Sequence, residues 1–98
     1  MPKNSQPLLL MDAGNTRIKW RVVQHAVDGE LRVLVQGATP KGQALNPVGA
    51  LQADFEAQLQ ATLAECRPQA LLLCQVLGPE FEAQMQAWCV RQGLNCWP

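Results

Sequence analysis

Two short apolar runs constrain the fold of this 98-residue chain more than any other feature. Residues 8–11 and 70–74 contain no charged or strongly polar side chain, which is typical of strands buried on both faces of a parallel or mixed sheet. Both are far shorter than the roughly 20 apolar residues that a membrane-spanning helix needs. The first run stops at Asp12, well before the roughly 7–15 apolar residues of a secretory signal. We therefore expect a cytoplasmic domain built around a central sheet.

The segment after the first run predicts two further strands. Apolar and basic residues alternate from Arg17 to Val22, and this period of two is typical of a half-buried strand. Asp28-Gly29 is a strong signal for a tight hairpin turn, and residues 31–35 supply the next strand. The first third of the chain is thus expected to form three antiparallel strands.

The remainder alternates helix and strand signals. Residues 37–49 are expected to form a loop, with Asn46-Pro47 starting a helix. Pro68 ends that helix, and Gly78-Pro79 opens a second one that stops at Gly93. The apolar residues of each helix recur at helical spacing and predict one buried face; they are Leu51, Phe55, Leu59 and Leu63 in the first helix, and Phe81, Met85 and Trp88 in the second. With strands at 70–76 and 94–97, the order is β-β-β-α-β-α-β, an α/β fold with a mixed sheet and helices packed on it.

Composition narrows the class of protein. The chain is 48% hydrophobic and 16% charged, with eight basic and eight acidic residues. This supplies enough apolar material for a packed core. It also provides no surplus of positive charge for nucleic acid or for an anionic membrane surface. We therefore expect neither nucleic acid nor a membrane as a partner.

The cysteines do not form a metal-binding pattern. No pair is spaced as C-x-x-C, and the single histidine, His25, is remote from them in sequence. A zinc site is therefore not predicted. We expect Cys66, Cys74, Cys89 and Cys96 to be buried, reduced thiols.

The residues that carry chemistry lie at 12–19 (Asp-Ala-Gly-Asn-Thr-Arg-Ile-Lys), between the buried strand and the alternating strand. Gly14 allows a close approach of the backbone to a bulky anion. The Asn15 amide and the Thr16 hydroxyl are neutral donors for phosphate oxygens, and Lys19 adds a positive charge. Asp12 would repel a bare phosphate but suits a Mg²⁺ ion bound to one. An ordinary hairpin turn without a ligand has the same composition, so the residues alone leave both interpretations open.

Residues 8–20 (Leu-Leu-Leu-Met-Asp-Ala-Gly-Asn-Thr-Arg-Ile-Lys-Trp) resemble the amino terminus of type III pantothenate kinases, also called Bvg accessory factors. That family belongs to the superfamily of actin-like ATPases, sugar kinases and acetate kinases. Every defined position of its Asp-x-Gly-Asn-Thr-x-x-Lys motif is matched here. The resemblance implies a ribonuclease H-like half-domain, and only the first twenty residues match with motif-grade specificity.

The resemblance also implies an activity, namely ATP-dependent phosphorylation of pantothenate, the first step of coenzyme A biosynthesis. Its implied cofactors are ATP, Mg²⁺ and a monovalent cation, K⁺ or NH₄⁺, and the full-length protein is expected to be a homodimer. By motif match, Asp12 would face Mg²⁺ through water. The residues matched to ATP binding are Asp12, Ala13, Gly14, Asn15, Thr16 and Lys19.

The family has two lobes, and its catalytic base lies in a segment that residues 1–98 do not match. The chain is therefore expected to be the amino-terminal ATP-binding lobe, with no catalytic residue and no turnover alone. Two alternatives remain from the sequence. One is a non-catalytic accessory or regulatory protein of the same fold that acts through protein contacts. The other is an unrelated small α/β binding module.

Overall fold

The three amino-terminal strands pair as an antiparallel meander, as the alternating pattern predicts. The computed structural model describes residues 6–97 of the chain. β1 (Leu8–Ala13) pairs with β2 (Arg17–His25), and β2 pairs with β3 (Leu31–Pro40). The β2–β3 turn contains Asp28 and Gly29, as predicted. Gly29 has a φ of 86°, in the left-handed region that favours glycine.

The second half of the chain adds two strands parallel to β1. The sheet order is β3-β2-β1-β4-β5, in which β1, β4 and β5 run in the same direction. The elements of this half are α1 (Lys41–Ala44), α2 (Ala53–Cys66), β4 (Ala70–Gln75), α3 (Pro79–Gln92) and β5 (Asn95–Trp97). The predicted order β-β-β-α-β-α-β and the mixed sheet are confirmed, with the four-residue helix α1 as an addition.

One hydrophobic core lies between the sheet and the helices. Leu9, Met11 and Leu71 face this core from the central strands, and the predicted apolar stripe of α3 is buried in it. Trp20 packs edge-on against Phe55 of α2, with ring centroids 5.6 Å apart. Trp20 is therefore part of the hydrophobic core. None of the helices formed by residues 6–97 is long and apolar enough to cross a bilayer.

The prediction that the two apolar runs are buried on both faces is wrong. Residues from all three helices belong to the single core on one side of the sheet, so alternate strand residues point the other way. Leu10 and Leu72 are only half-buried there, and Trp97 is 48% exposed. We call this side the open face; its central members are Leu10, Asp12, Lys19, Leu72, Cys74 and Trp97.

The predicted loop at 37–49 begins too early, because residues 37–40 continue strand β3. Gly37 is paired with Trp20 across the strands, and the indole ring lies directly over it. A Cβ at position 37 would lie 2.6 Å from Cε2 of that ring. Gly37 is therefore a place of close packing within a strand and not a chain break.

The predicted helix start at Asn46-Pro47 is also wrong, since α2 begins at Ala53. The Asn46 Oδ1 atom accepts hydrogen bonds from the amides of Val48 and Ala50, both at 3.0 Å. The Asn46 side chain, which was expected to cap the helix, therefore stabilises a turn of residues 46–50 instead. The carboxyl ends of the helices are as predicted: α2 ends at Cys66, shortly before Pro68, and α3 ends at Gln92, with Gly93 as its cap.

Candidate anion site at the β1–β2 turn

The candidate site is the turn that joins β1 to β2. Ala13 and Ile18 form the last cross-strand pair, and the Gly14 amide donates to the Arg17 carbonyl oxygen at 2.9 Å. The Gly14 amide is thus committed to the turn, and its φ is outside the left-handed region. Asn15 and Thr16 form the exposed tip. The turn therefore offers a ligand the hydrogen-bond donors of Asn15 and Thr16, but not the amide of Gly14.

Two distant segments hold this turn in place. The Lys41 amide donates to the Thr16 carbonyl oxygen at 3.0 Å, and the Val76 amide donates to the Ala13 carbonyl oxygen at 3.1 Å. The Gln75 side chain then shapes the following loop, because its Oε1 accepts from the amides of Leu77 at 2.7 Å and Gly78 at 2.8 Å. The turn is therefore anchored on both sides by the rest of the domain.

Asn15 and Thr16 have donors available for a ligand. Within residues 6–97, neither their amides nor their side chains have a hydrogen-bond partner. Both residues are exposed, so solvent satisfies these groups in the free protein. An oxyanion at the tip could accept hydrogen bonds from them at no cost to the fold.

Four of the motif residues divide between two hollows, whereas Ala13 and Gly14 line neither. The expectation that Ala13 contacts the nucleotide with its side chain is wrong, because this side chain is buried in the hydrophobic core. Asp12 and Lys19 are cross-strand neighbours on the open face and line a hollow of about 880 Å³, together with Leu10, Leu72 and Trp97. They form no ion pair with each other. Asn15 and Thr16 line a separate hollow of about 520 Å³, whose other wall is the segment from α1 to the Asn46 turn. A ligand that contacts all four of these residues would therefore have to reach across the turn.

Asp12 is the carboxylate that fits the implied Mg²⁺ ion. It is exposed, lies at the end of a central strand and takes part in none of the ion pairs of residues 6–97. No group of three or more potential metal ligands exists in that part of the chain. Mg²⁺ is commonly held by one or two carboxylates together with substrate phosphates and water. The residues present therefore fit an ion that arrives with a phosphate, held by Asp12 through water.

Sequence reasoning missed two residues of this region. Lys41 lines the same hollow as Asn15 and Thr16, although it follows β3 and lies far from the motif in sequence. Gln75 was given no role, yet its side chain organises the loop beside the turn. For Gln75 the available signal was its position just before Gly78-Pro79, where a helix starts and unpaired amides need acceptors.

The cysteines are all free, as predicted, but they are not all buried. Cys89 is fully buried, Cys66 and Cys96 are half-buried, and Cys74 is exposed on the open face. Burial raises the pKa of Cys89 to about 12, with a further contribution from the adjacent Cys96 thiol. Burial likewise raises the pKa of Cys66 and Cys96. His25 is exposed at the end of β2.

These environments predict the order in which the cysteines react. With a pKa of about 12, Cys89 is a thiolate in only about one molecule in ten thousand at about pH 8. We expect iodoacetamide to alkylate Cys74 first and Cys89 last, as followed by peptide mass spectrometry. In guanidinium chloride the difference should disappear, because it depends on burial. Equal labelling of Cys74 and Cys89 in the native protein would contradict the described core.

The sheet order and strand directions define a class of fold, the ribonuclease H-like fold, and the expected fold class is confirmed by comparison with solved structures. A Ppx/GppA family protein of Aquifex aeolicus matches 94% of this chain at 16% identity, with a TM-score of 0.53. The RuvC protein of T. thermophilus, solved with a Holliday junction substrate, matches 93% at 14% identity, with a TM-score of 0.62.

This chain spans 34% of the Ppx/GppA chain and 63% of the RuvC chain. No protein-family model matches it, and a search of curated proteins found no significant sequence match. At these identities the likeness to the solved structures describes the fold.

Proposed function

We propose that the chain is the phosphate-binding amino-terminal lobe of a two-lobe, ATP-dependent kinase, and that the complete protein phosphorylates pantothenate. The observation that carries the first part is the exposed tip of the β1–β2 turn, where the donors of Asn15 and Thr16 have no partner within residues 6–97. The choice of pantothenate rests on the match of residues 12–19 to the family motif.

The chemistry of phosphoryl transfer suits a lobe of this kind. Such enzymes act mainly by positioning the reactants and by stabilising charge on the transferred group. In the proposed complex, Asn15 and Thr16 donate hydrogen bonds to phosphate oxygens, and Lys19 contributes a positive charge from the open face. Asp12 would hold Mg²⁺ through water, and the ion would supply neutralisation of the phosphate charge. Abstraction of the proton from the pantothenate hydroxyl is assigned to the family segment that residues 1–98 do not match.

Binding of Mg²⁺·ADP to the 98-residue chain tests this proposal. Because one lobe supplies only part of the site, we expect a Kd of about 1 mM, equivalent to about −4 kcal/mol. In ¹H–¹⁵N NMR spectra, the amides of Asn15 and Thr16 should shift on titration, because they change from water to phosphate as hydrogen-bond acceptor. Thr16→Ala and Asp12→Asn should each weaken binding, and the effect of Asp12→Asn should disappear when Mg²⁺ is left out.

Asp28→Asn provides the matched control. Asp28 is also an exposed aspartate in a hairpin turn, at the opposite end of β2, and asparagine can keep its hydrogen bond to the Glu30 amide. This variant should bind Mg²⁺·ADP like the parent chain. Shifts spread over both hairpins, or binding that is indifferent to Asp12 and Thr16, would exclude the proposed site.

Turnover distinguishes the kinase from the accessory function considered above. Since no residue of the described site is assigned as the base, we expect the chain alone to release no ADP when supplied with ATP and pantothenate in a coupled assay. Addition of the complementary lobe should restore pantothenate-dependent ADP release. A reconstituted protein that binds nucleotide but remains inactive would favour the accessory function over the kinase.

A further inference from the structure

We propose that Lys41 is a phosphate-binding residue and that the hollow between the β1–β2 turn and the Lys41–Gly49 segment is an oxyanion subsite. The inference rests on the proposed function in one respect, the placement of a phosphate chain at this turn. It adds Lys41, which lies outside the matched motif, as a second lysine of the site. The ligand class is a pyrophosphate group, either free or as part of a nucleoside di- or triphosphate.

The backbone places Lys41 next to the tip donors. Lys41 follows directly after β3, and its amide bonds the Thr16 carbonyl oxygen at 3.0 Å. Its side chain is half-buried and lines the hollow of about 520 Å³ together with Asn15 and Thr16. Lys41 thus lines the same hollow as the unpartnered donors of the turn.

The charge in this hollow is not neutralised. In the described part of the chain, ion pairs join Arg32 to Asp28 and Arg91 to Glu56, and Lys41 belongs to neither. No acidic residue lines the hollow. The one side-chain acceptor whose bonds are defined there, Asn46 Oδ1, is already engaged by two amides. Donors with one positive charge and no negative charge favour an anion over a cation or a neutral ligand.

Lys41 and Lys19 reach the turn from different sides. Lys19 lies on the open face beside Asp12, whereas Lys41 lies on the side of the helices. The residues of one hairpin line both hollows, so the two lysines lie on opposite sides of the turn. A polyphosphate that spans the turn could contact both hollows, whereas a single phosphate could engage only one of them.

Titration with inorganic pyrophosphate and with Mg²⁺·ADP tests the subsite in the 98-residue chain. We expect Lys41→Gln to weaken binding of both probes about tenfold, the usual effect of losing one charge-assisted hydrogen bond. Lys41→Arg should bind within about twofold of the parent chain, because it keeps the charge and the donors. Arg32→Gln is the control, since it removes one positive charge at the far end of the β2–β3 hairpin. It should leave both affinities unchanged.

A direct measurement on the parent chain complements the variants. On addition of pyrophosphate, the side-chain NMR signals of Lys41 should shift together with the amides of Asn15 and Thr16. This readout does not depend on the folding of any variant. Unshifted Lys41 signals, or equal pyrophosphate affinities for Lys41→Gln and the parent chain, would overturn the subsite.

The two probes separate the two proposals. Pyrophosphate binding that depends on Lys41, without binding of Mg²⁺·ADP, would support the subsite and reject the nucleotide-binding function. Binding of Mg²⁺·ADP that depends on Asp12 and Thr16 but not on Lys41 would support the nucleotide-binding function and reject the subsite. If neither probe binds the parent chain, both proposals fail.

Discussion

Replacing Gly37 by alanine is expected to lower the free energy of unfolding by about 2–3 kcal/mol, as overpacking of a core does. The new methyl group would lie 2.6 Å from Cε2 and 2.9 Å from Nε1 of the Trp20 ring. The ring cannot easily move away, because it is buried and packs edge-on against Phe55. Urea unfolding followed by Trp fluorescence and by far-UV circular dichroism would measure the loss.

Gly42→Ala is the matched comparison. Gly42 lies in α1, and apart from its chain neighbours and the helix backbone no atom lies within 4 Å of the position that its Cβ would take. Alanine also favours the helix, so this variant should be as stable as the parent chain or slightly more stable. Equal stability of Gly37→Ala and Gly42→Ala would show that the Trp20 ring does not lie over Gly37.

Replacing Gly14 by alanine is expected to separate folding from ligand binding. The Cβ would lie 3.5 Å from the Arg17 carbonyl oxygen, an ordinary contact, and φ is outside the left-handed region. The free energy of unfolding should therefore change by no more than about 1 kcal/mol. The motif match, however, implies a phosphate chain that rests against Gly14, and the methyl group would then occupy its place. We expect the affinity for Mg²⁺·ADP to fall at least about tenfold, or about 1.4 kcal/mol.

The informative comparison is between the two measurements on the same variant. Loss of affinity together with an unchanged unfolding transition would support a ligand in contact with Gly14. Full affinity would mean that the phosphates approach only the tip residues and leave Gly14 clear. Such a result would remove Gly14 from the proposed site while leaving Asn15 and Thr16 in it.

The order of the elements could be predicted from the sequence because it depends on local patterns. The alternation from Arg17 to Val22, the spacing of Phe55 and Leu59, and the Gly93 stop each report on neighbouring residues. One error involves a distant contact, because Gly37 lies in a strand opposite Trp20, whose ring covers it. The other is local: Asn46 accepts hydrogen bonds from the amides of Val48 and Ala50, and the same residue type can cap a helix or close a turn.

The candidate site, too, could be predicted only in part from local sequence signals. The exposed tip at Asn15 and Thr16 follows from a local turn signal. The presence of Lys41 in the same hollow depends on the return of β3 alongside β2, which brings Pro40 opposite Arg17. The open face was not predicted, because an apolar run indicates that a strand is central but not whether helices cover one or both faces of the sheet. Here the helices pack on one face, so Leu10 and Leu72 on the other face are only half-buried.

The bonds from Lys41 and Val76 to the turn have a consequence for how small a working fragment can be. A peptide containing only the first two strands would carry every motif residue, yet it would lack the amides that hold the Thr16 and Ala13 carbonyl groups. Because these partners arrive only when long stretches of chain have closed, the shape of the turn is a property of the assembled domain. An isolated hairpin should therefore bind phosphate no better than an unstructured peptide of the same composition.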